Sequence, residues 1–96
     1  MRAARTDTTK AALVAHAKAL GLGYLDINGV IDGVLYLGRR VELVDWKSPG
    51  GTLTEAQAKL VAKGAPIWFI TTVAQLEALA WDMRQRRDVD ALMGVK

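Results

Sequence analysis

The chain has no cysteine, one histidine, one phenylalanine and two prolines among its 96 residues. Without cysteine there is no disulfide framework and no thiolate zinc site, and His16 alone cannot build a multi-histidine metal centre. A metal bound here must rest on oxygen ligands, and a catalytic triad would have a single imidazole to draw on. No apolar run approaches the ~18 residues of a spanning helix, and Met1 to Asp7 lacks the apolar core of a signal peptide. The expectation is a soluble, cytoplasmic protein with no membrane partner. The composition, 51% apolar and 24% charged, is neither that of disorder nor that of a fibre, and the length suits one core and one domain over 1–96.

Thirteen Lys and Arg against ten Asp and Glu give a net charge of +3, in itself a poor indicator of a nucleic-acid partner. If two or three of the acids were gathered around a metal, the remaining surface would carry about +5 to +6, a plausible phosphate-facing charge for so small a domain.

The patterning predicts a helix capped by Asp7 or Thr8 and running to about Leu20, with Leu13, Val14, Ala17 and Leu20 on one stripe and Gly21 and Gly23 ending it. The period then changes to two, giving strands over about 24–28, 31–37 and 40–46, the last two joined through Leu37-Gly38-Arg39. After the Ser48-Pro49-Gly50-Gly51 loop, Thr54-Glu55-Ala56-Gln57 has the spacing of a capping box and opens a helix that Gly64 stops. Pro66 starts a fourth strand carrying the continuous apolar run Ile67-Trp68-Phe69-Ile70, and Thr72 to Gln75 repeats the capping signature before a helix with Leu76, Leu79, Ala80 and Met83 inward. The core is expected to span about 5–84, with a frayed tail over 85–96. The fold class is α/β, a single domain of order α-β-β-β-α-β-α with a central mixed sheet flanked by helices.

Alternation along Val41 to Lys47 puts Val41, Leu43, Asp45 and Lys47 on one face, so a carboxylate and an ammonium end an apolar face together. The neighbouring strand sets Asp32 among Val30, Val34 and Tyr36, and counting back from Gly38 brings Asp32 near Asp45 at the same end of the sheet. Two such aspartates repel unless a cation or a shared proton lies between them, and oxygen-only ligation suits Mg²⁺ or Mn²⁺. The Trp46 backbone carbonyl could serve as a third ligand, with Lys47 orienting a bound water and offsetting charge in a phosphoryl-transfer transition state. The plainer alternative for an Asp-x-Lys strand end is a solvated surface ion pair.

Gly29-Val30-Ile31-Asp32, the run Val41-Glu42-Leu43-Val44-Asp45-Trp46-Lys47, and Leu53-Thr54-Glu55-Ala56-Gln57 together resemble the PD-(D/E)XK nuclease superfamily, in particular its small VRR-NUC and Holliday-junction-resolvase-like branch, often carried by phages. The resemblance covers about residues 5–80 and implies a restriction-endonuclease-like core. It also implies Asp32 and Asp45 as metal ligands, Lys47 as the catalytic lysine, Gln57 as a supporting residue from the second helix, and a two-fold homodimer acting on branched or junction DNA in a phage or prophage setting. Ile31 stands where the family usually has proline, and Asp45 where its small members usually have glutamate, so the shorter carboxylate must sit closer to the metal. Relatives often carry an acid on the first helix facing the site; here only Asp7, at its start, could substitute, and Asp26 has no assigned role.

Gln57, three residues after Thr54, has the competing role of capping its helix. His16 reads as a surface or boundary residue, and Trp46, Trp68, Phe69 and Trp81 as core or interface. Candidate DNA contacts are Lys10, Arg39, Arg40, Ser48, Gly50 and Lys59; Arg84, Arg86 and Arg87 equally suit the C-terminal end of a helix dipole. The expected function is a Mg²⁺-dependent endonuclease on DNA; the alternatives are a catalytically silent nucleic-acid-binding or assembly module on the same fold, and a structural protein with an incidental Asp-x-Lys.

Overall fold

The computed structural model describes residues 2–94, with side chains from residue 9 onward. The elements are α1 (Arg2–Ala19), β1 (Gly23–Asp26), β2 (Gly33–Leu37), β3 (Arg40–Trp46), α2 (Glu55–Ala62), β4 (Ile67–Ile70) and α3 (Val73–Leu92). This is the expected α/β order, α-β-β-β-α-β-α. The strands lie side by side in chain order, β1, β2 and β3 as an antiparallel meander and β4 parallel to β3. A parallel pair cannot be joined by a tight turn, and the stretch containing α2 supplies the crossover.

The two faces of the sheet differ. Leu35, Val44, Trp46 and Ile70 meet Leu13 and Ala17 of α1 and Leu76, Leu79, Ala80 and Met83 of α3 in one buried cluster. The helical spacings i, i+4 and i, i+3, i+4, i+7 turn those residues inward. On the opposite face the register sets Leu25 beside Val34, Val34 beside Leu43, and Leu43 beside Ile67, an apolar row crossing all four strands. That face is largely open: Leu25 and Val41 are each 60% exposed, and Tyr36, like Val30 in the β1–β2 connection at the other end of the strand, is about half exposed rather than buried. Helix α2 contributes one buried residue, Gln57, and stands apart from the main core.

Several boundaries depart from the sequence reading. β2 begins at Gly33, so Ile31 and Asp32 belong to the β1–β2 connection, where the Asp32 carbonyl accepts from Ile27 N–H at 2.8 Å and Asn28 N–H at 3.2 Å. Gly33 is required there, because a Cβ at this position would collide with the Leu25 carbonyl and the Tyr24 ring. Helix α1 begins at Arg2, which puts Asp7 and Thr8 within the helix instead of at its cap; the Asp7 side chain lies outside the described residues. The largest departure is α3, which does not fray from Gln85 but continues to Leu92. Arg40 of β3 grips Asp90 through two hydrogen bonds, Nε to Oδ2 at 2.9 Å and Nη2 to Oδ1 at 2.7 Å, and Asp82 pairs with Arg86 one turn on. Among the described residues, no helix is long and apolar enough to cross a membrane.

Candidate functional site

Asp32 and Asp45 meet at the end of the sheet remote from the Gly38 hairpin. The chain braces them reciprocally: Asp32 N–H donates to Asp45 Oδ1 at 3.0 Å, and Trp46 N–H donates to Asp32 Oδ2 at 2.8 Å. Each carboxylate thus gives one oxygen to backbone and keeps one turned outward. A cation faces each outward oxygen. Lys47 Nζ lies 3.1 Å from Asp45 Oδ2, and Lys10 Nζ, reaching from α1, lies 3.5 Å from Asp32 Oδ1. The Asp45 side chain is only 8% exposed, so its charge is tolerable because a backbone N–H and an ammonium both serve it.

Lys47 is fixed from a second direction. Its Nζ donates to Gln57 Oε1 at 2.8 Å, while Gln57 Nε2 donates to the Val30 carbonyl at 2.8 Å. The same Oε1 accepts Thr54 N–H at 3.1 Å, and Thr54 Oγ1 accepts Gln57 N–H at 3.1 Å, completing the capping box. One side chain therefore caps α2 and holds Lys47 at once, stapling α2 to the loop before Asp32 and to the lysine after Asp45. An ammonium has three donors; with Asp45 and Gln57 taking two, one remains. The Phe69 ring centroid lies 5.8 Å from the same nitrogen.

On the α1 side, Lys10 Nζ is closest to Asp26 Oδ1, at 3.1 Å, and Tyr24 Oη donates to that same oxygen at 3.0 Å. Burial works against the Lys10 charge, but the hydrogen bond to Asp26 and the charge of Asp32 outweigh it and raise its pKa above the usual lysine value. The Asp26 carboxyl is held below its ordinary value by the hydrogen bonds from Lys10 and Tyr24. Burial, reinforced by the bond to Asp26, pushes the Tyr24 hydroxyl up to about 12. Tyr24, Asp26 and the Lys10–Asp26 pair were not assigned to the site from sequence. A signal was present, since Tyr24 and Asp26 alternate onto one face of a strand, and Lys10 shares the helical stripe of Leu13 and Ala17.

The remaining candidates scatter. Ser48 and Gly50 follow Lys47 directly and stay beside the site, in a loop closed by Gly51 N–H to the Ser48 carbonyl at 2.8 Å. Lys10 belongs to the carboxylate cluster. Arg39 and Arg40 sit at the far end of β3, roughly 17–25 Å along the strand from Asp45 and Lys47, and Arg40 is committed to Asp90. Lys59 is two residues from Gln57 on α2, and positions two apart on a helix face different ways, so it points away from the carboxylates. Arg84 donates to the Leu20 carbonyl at 2.8 Å, and His16 Nε2 lies 3.0 Å from Glu77 Oε2. Trp46 joins the core, whereas Trp68 and Trp81 are 46% and 61% exposed.

The donor set fits a hard divalent cation in kind: two carboxylate oxygens, each already facing a positive nitrogen, and the Trp46 carbonyl. In an extended strand a residue's N–H and C=O point to the same side, and the Trp46 N–H points at Asp32. Among the described residues, no third Asp, Glu, His or Cys completes a cluster. Water and substrate oxygens would have to fill the rest of the shell, as is usual for Mg²⁺. Comparison of the chain with protein-family models, curated proteins and solved structures gives no match.

Proposed function

We propose that the protein is a Mg²⁺-dependent endonuclease that hydrolyses DNA phosphodiester bonds, with branched or junction DNA as the favoured substrate. The observation that supports this best is the Asp32–Asp45 pair with Lys47 on its rim: two mutually braced carboxylates, and an ammonium oriented by Asp45 and Gln57 with one donor left over. Asp32, Asp45 and the Trp46 carbonyl would hold Mg²⁺, or Mn²⁺ in its place. When bound, such an ion polarises a phosphoryl oxygen and lowers the pKa of a coordinated water.

The remaining work falls to the chain. Lys47 Nζ uses its third donor on the attacking water or on a non-bridging phosphate oxygen, fixing the line of attack and offsetting the growing negative charge. Gln57 acts as a positioning residue: its amide holds the ammonium and, through the Val30 carbonyl, the segment leading to Asp32. Ser48 and the loop glycines beside Lys47 are the natural contacts for the phosphate backbone, which carries affinity without base specificity. The open apolar row from Leu25 to Ile67 supports pairing of two copies, the assembly a two-stranded substrate calls for. The resemblance to phage-borne nucleases supports a phage or prophage setting, with the protein acting in the cytoplasm of a bacterial host.

The test is a time course of wild type and Lys47→Ala on a labelled four-way junction and a matched duplex, with Mg²⁺, Mn²⁺ or EDTA. Metal-dependent cutting by wild type, lost in Lys47→Ala while DNA binding persists, is the expected result. Binding without cutting in every metal would replace this reading with that of a silent nucleic-acid-binding module. Sedimentation at varied protein concentration checks the dimer.

A further inference from the structure

We propose that Lys10 is a built-in counter-cation that competes with a divalent metal for Asp32 and thereby sets the affinity of the site. The inference rests on reading Asp32 and Asp45 as metal-binding carboxylates. Asp32 Oδ2 is taken by the Trp46 N–H, so Oδ1 is the oxygen left for a cation, and Oδ1 is the one that Lys10 faces at 3.5 Å. The ammonium has two seats. The tighter is Asp26 Oδ1 at 3.1 Å, backed by Tyr24; the looser is Asp32.

A dipositive ion on Asp32 Oδ1 would repel an ammonium a few ångströms away, and Asp26 offers the place to which it retreats. Lys10 thus occupies, with opposite sign, the helix position from which an acid could have strengthened metal binding. The site is held ready in an ion-paired state, and each divalent cation that binds must first displace an internal one. Asp26 acquires a role in this arrangement: by drawing Lys10 away it lowers the cost of that displacement.

The experiment measures Mn²⁺ binding to the full chain by loss of the free-ion electron paramagnetic resonance signal, with circular dichroism as the fold check. Lys10→Met is expected to tighten Mn²⁺ binding about tenfold, as removal of one positive charge at this range implies. Asp26→Asn is expected to weaken it about threefold, because Lys10 then rests on Asp32 alone. Lys18→Met removes the same charge from the same helix about 12 Å further along its axis and should leave the affinity within about twofold. The double variant separates a seat from a general field: loss of the Asp26 charge acts in either background, but release of Lys10 onto Asp32 does not, so Asp26→Asn should weaken Mn²⁺ binding less in the Lys10→Met background than in wild type.

Unchanged or weaker binding in Lys10→Met overturns the proposal, as does an Asp26→Asn effect as large in the Lys10→Met background as in wild type. If wild type binds Mn²⁺ and Asp45→Ala abolishes that binding, either result removes the Lys10 inference and leaves the metal reading standing. If neither wild type nor Lys10→Met binds Mn²⁺, both fall together.

Discussion

Replacing Gln57 by methionine keeps the length and volume of a side chain that is 3% exposed while deleting its amide. Three bonds go: Nε2 to the Val30 carbonyl, Lys47 Nζ to Oε1, and Thr54 N–H to Oε1, while the backbone bond from Gln57 N–H to Thr54 Oγ1 stays. At about 0.5–1.5 kcal/mol net for each, the gross loss is about 1.5–4.5 kcal/mol. Val30 and Thr54 are exposed enough for water to re-satisfy part of this, which brings the expected cost to about 1–3 kcal/mol. That is a large share of the ~5–15 kcal/mol that holds a domain together. Urea unfolding followed by tryptophan fluorescence gives the global cost. Amide exchange gives its location, which should be α2, since Gln57 is that helix's buried residue. Gln57→Glu keeps the acceptor for Lys47 and Thr54 but faces the Val30 carbonyl with a second acceptor, so it should lose only that bond and loosen α2 less. A Gln57→Met cost under about 0.5 kcal/mol, with α2 exchange unchanged, would refute the idea that this residue staples the helix.

Arg40→Ala or Asp90→Ala removes the bidentate pair at the end of α3; with Arg40 36% exposed the cost should be about 1 kcal/mol, seen with a loss of helical ellipticity, and full helicity in both variants would contradict the account of why α3 continues to Leu92. Tyr24, with its pKa raised from 10.0 to about 12, should ionise late in an alkaline absorbance titration of a Tyr36→Phe background. Because the raised value belongs to the folded state, the stability it carries is complete below pH 10 and is lost as pH rises towards 12; a native midpoint near 10 would count against the burial assigned to it. Gly23→Ala drives a methyl into the Tyr36 ring, so it should destabilise by about 1–2 kcal/mol, and a Tyr36→Ala background should relieve most of that cost in a double-mutant cycle.

The sequence carried those parts of the fold that depend on neighbours a few residues away. Both capping boxes, Thr54 with Gln57 and Thr72 with Gln75, form as their spacing requires. Alternation along β3 assigned every side chain to its face, and counting from Gly38 brought Asp32 to Asp45 because a hairpin transmits register directly. Contacts between distant segments were not legible in this way. The reach of Lys10 across to Asp26, the capture of Arg40 by Asp90, and hence the length of α3, are tertiary events: local patterns give the face each residue lies on and not the partner it meets. The start of β2 misled for a different reason: Ile31 and Asp32 have strand-like neighbours, but the Asp32 backbone and side chain are drawn into the connecting loop and the tip of β3.

Asp32, Asp45, Lys47 and Gln57 all come from one stretch of chain between Val30 and Gln57, and their mutual bonds need only the β2–β3 hairpin and the first turn of α2. Contacts of short sequence separation close quickly, whereas the parallel pairing of β4 and the docking of α3 must wait for a crossover. The bracing of the carboxylate pair, across 13 and 14 residues, therefore belongs to the early part of folding, and Lys10, 22 residues from Asp32 and on a separate helix, joins an already closed pair. A divalent ion present during refolding would meet the two aspartates and Lys47 before Lys10 did.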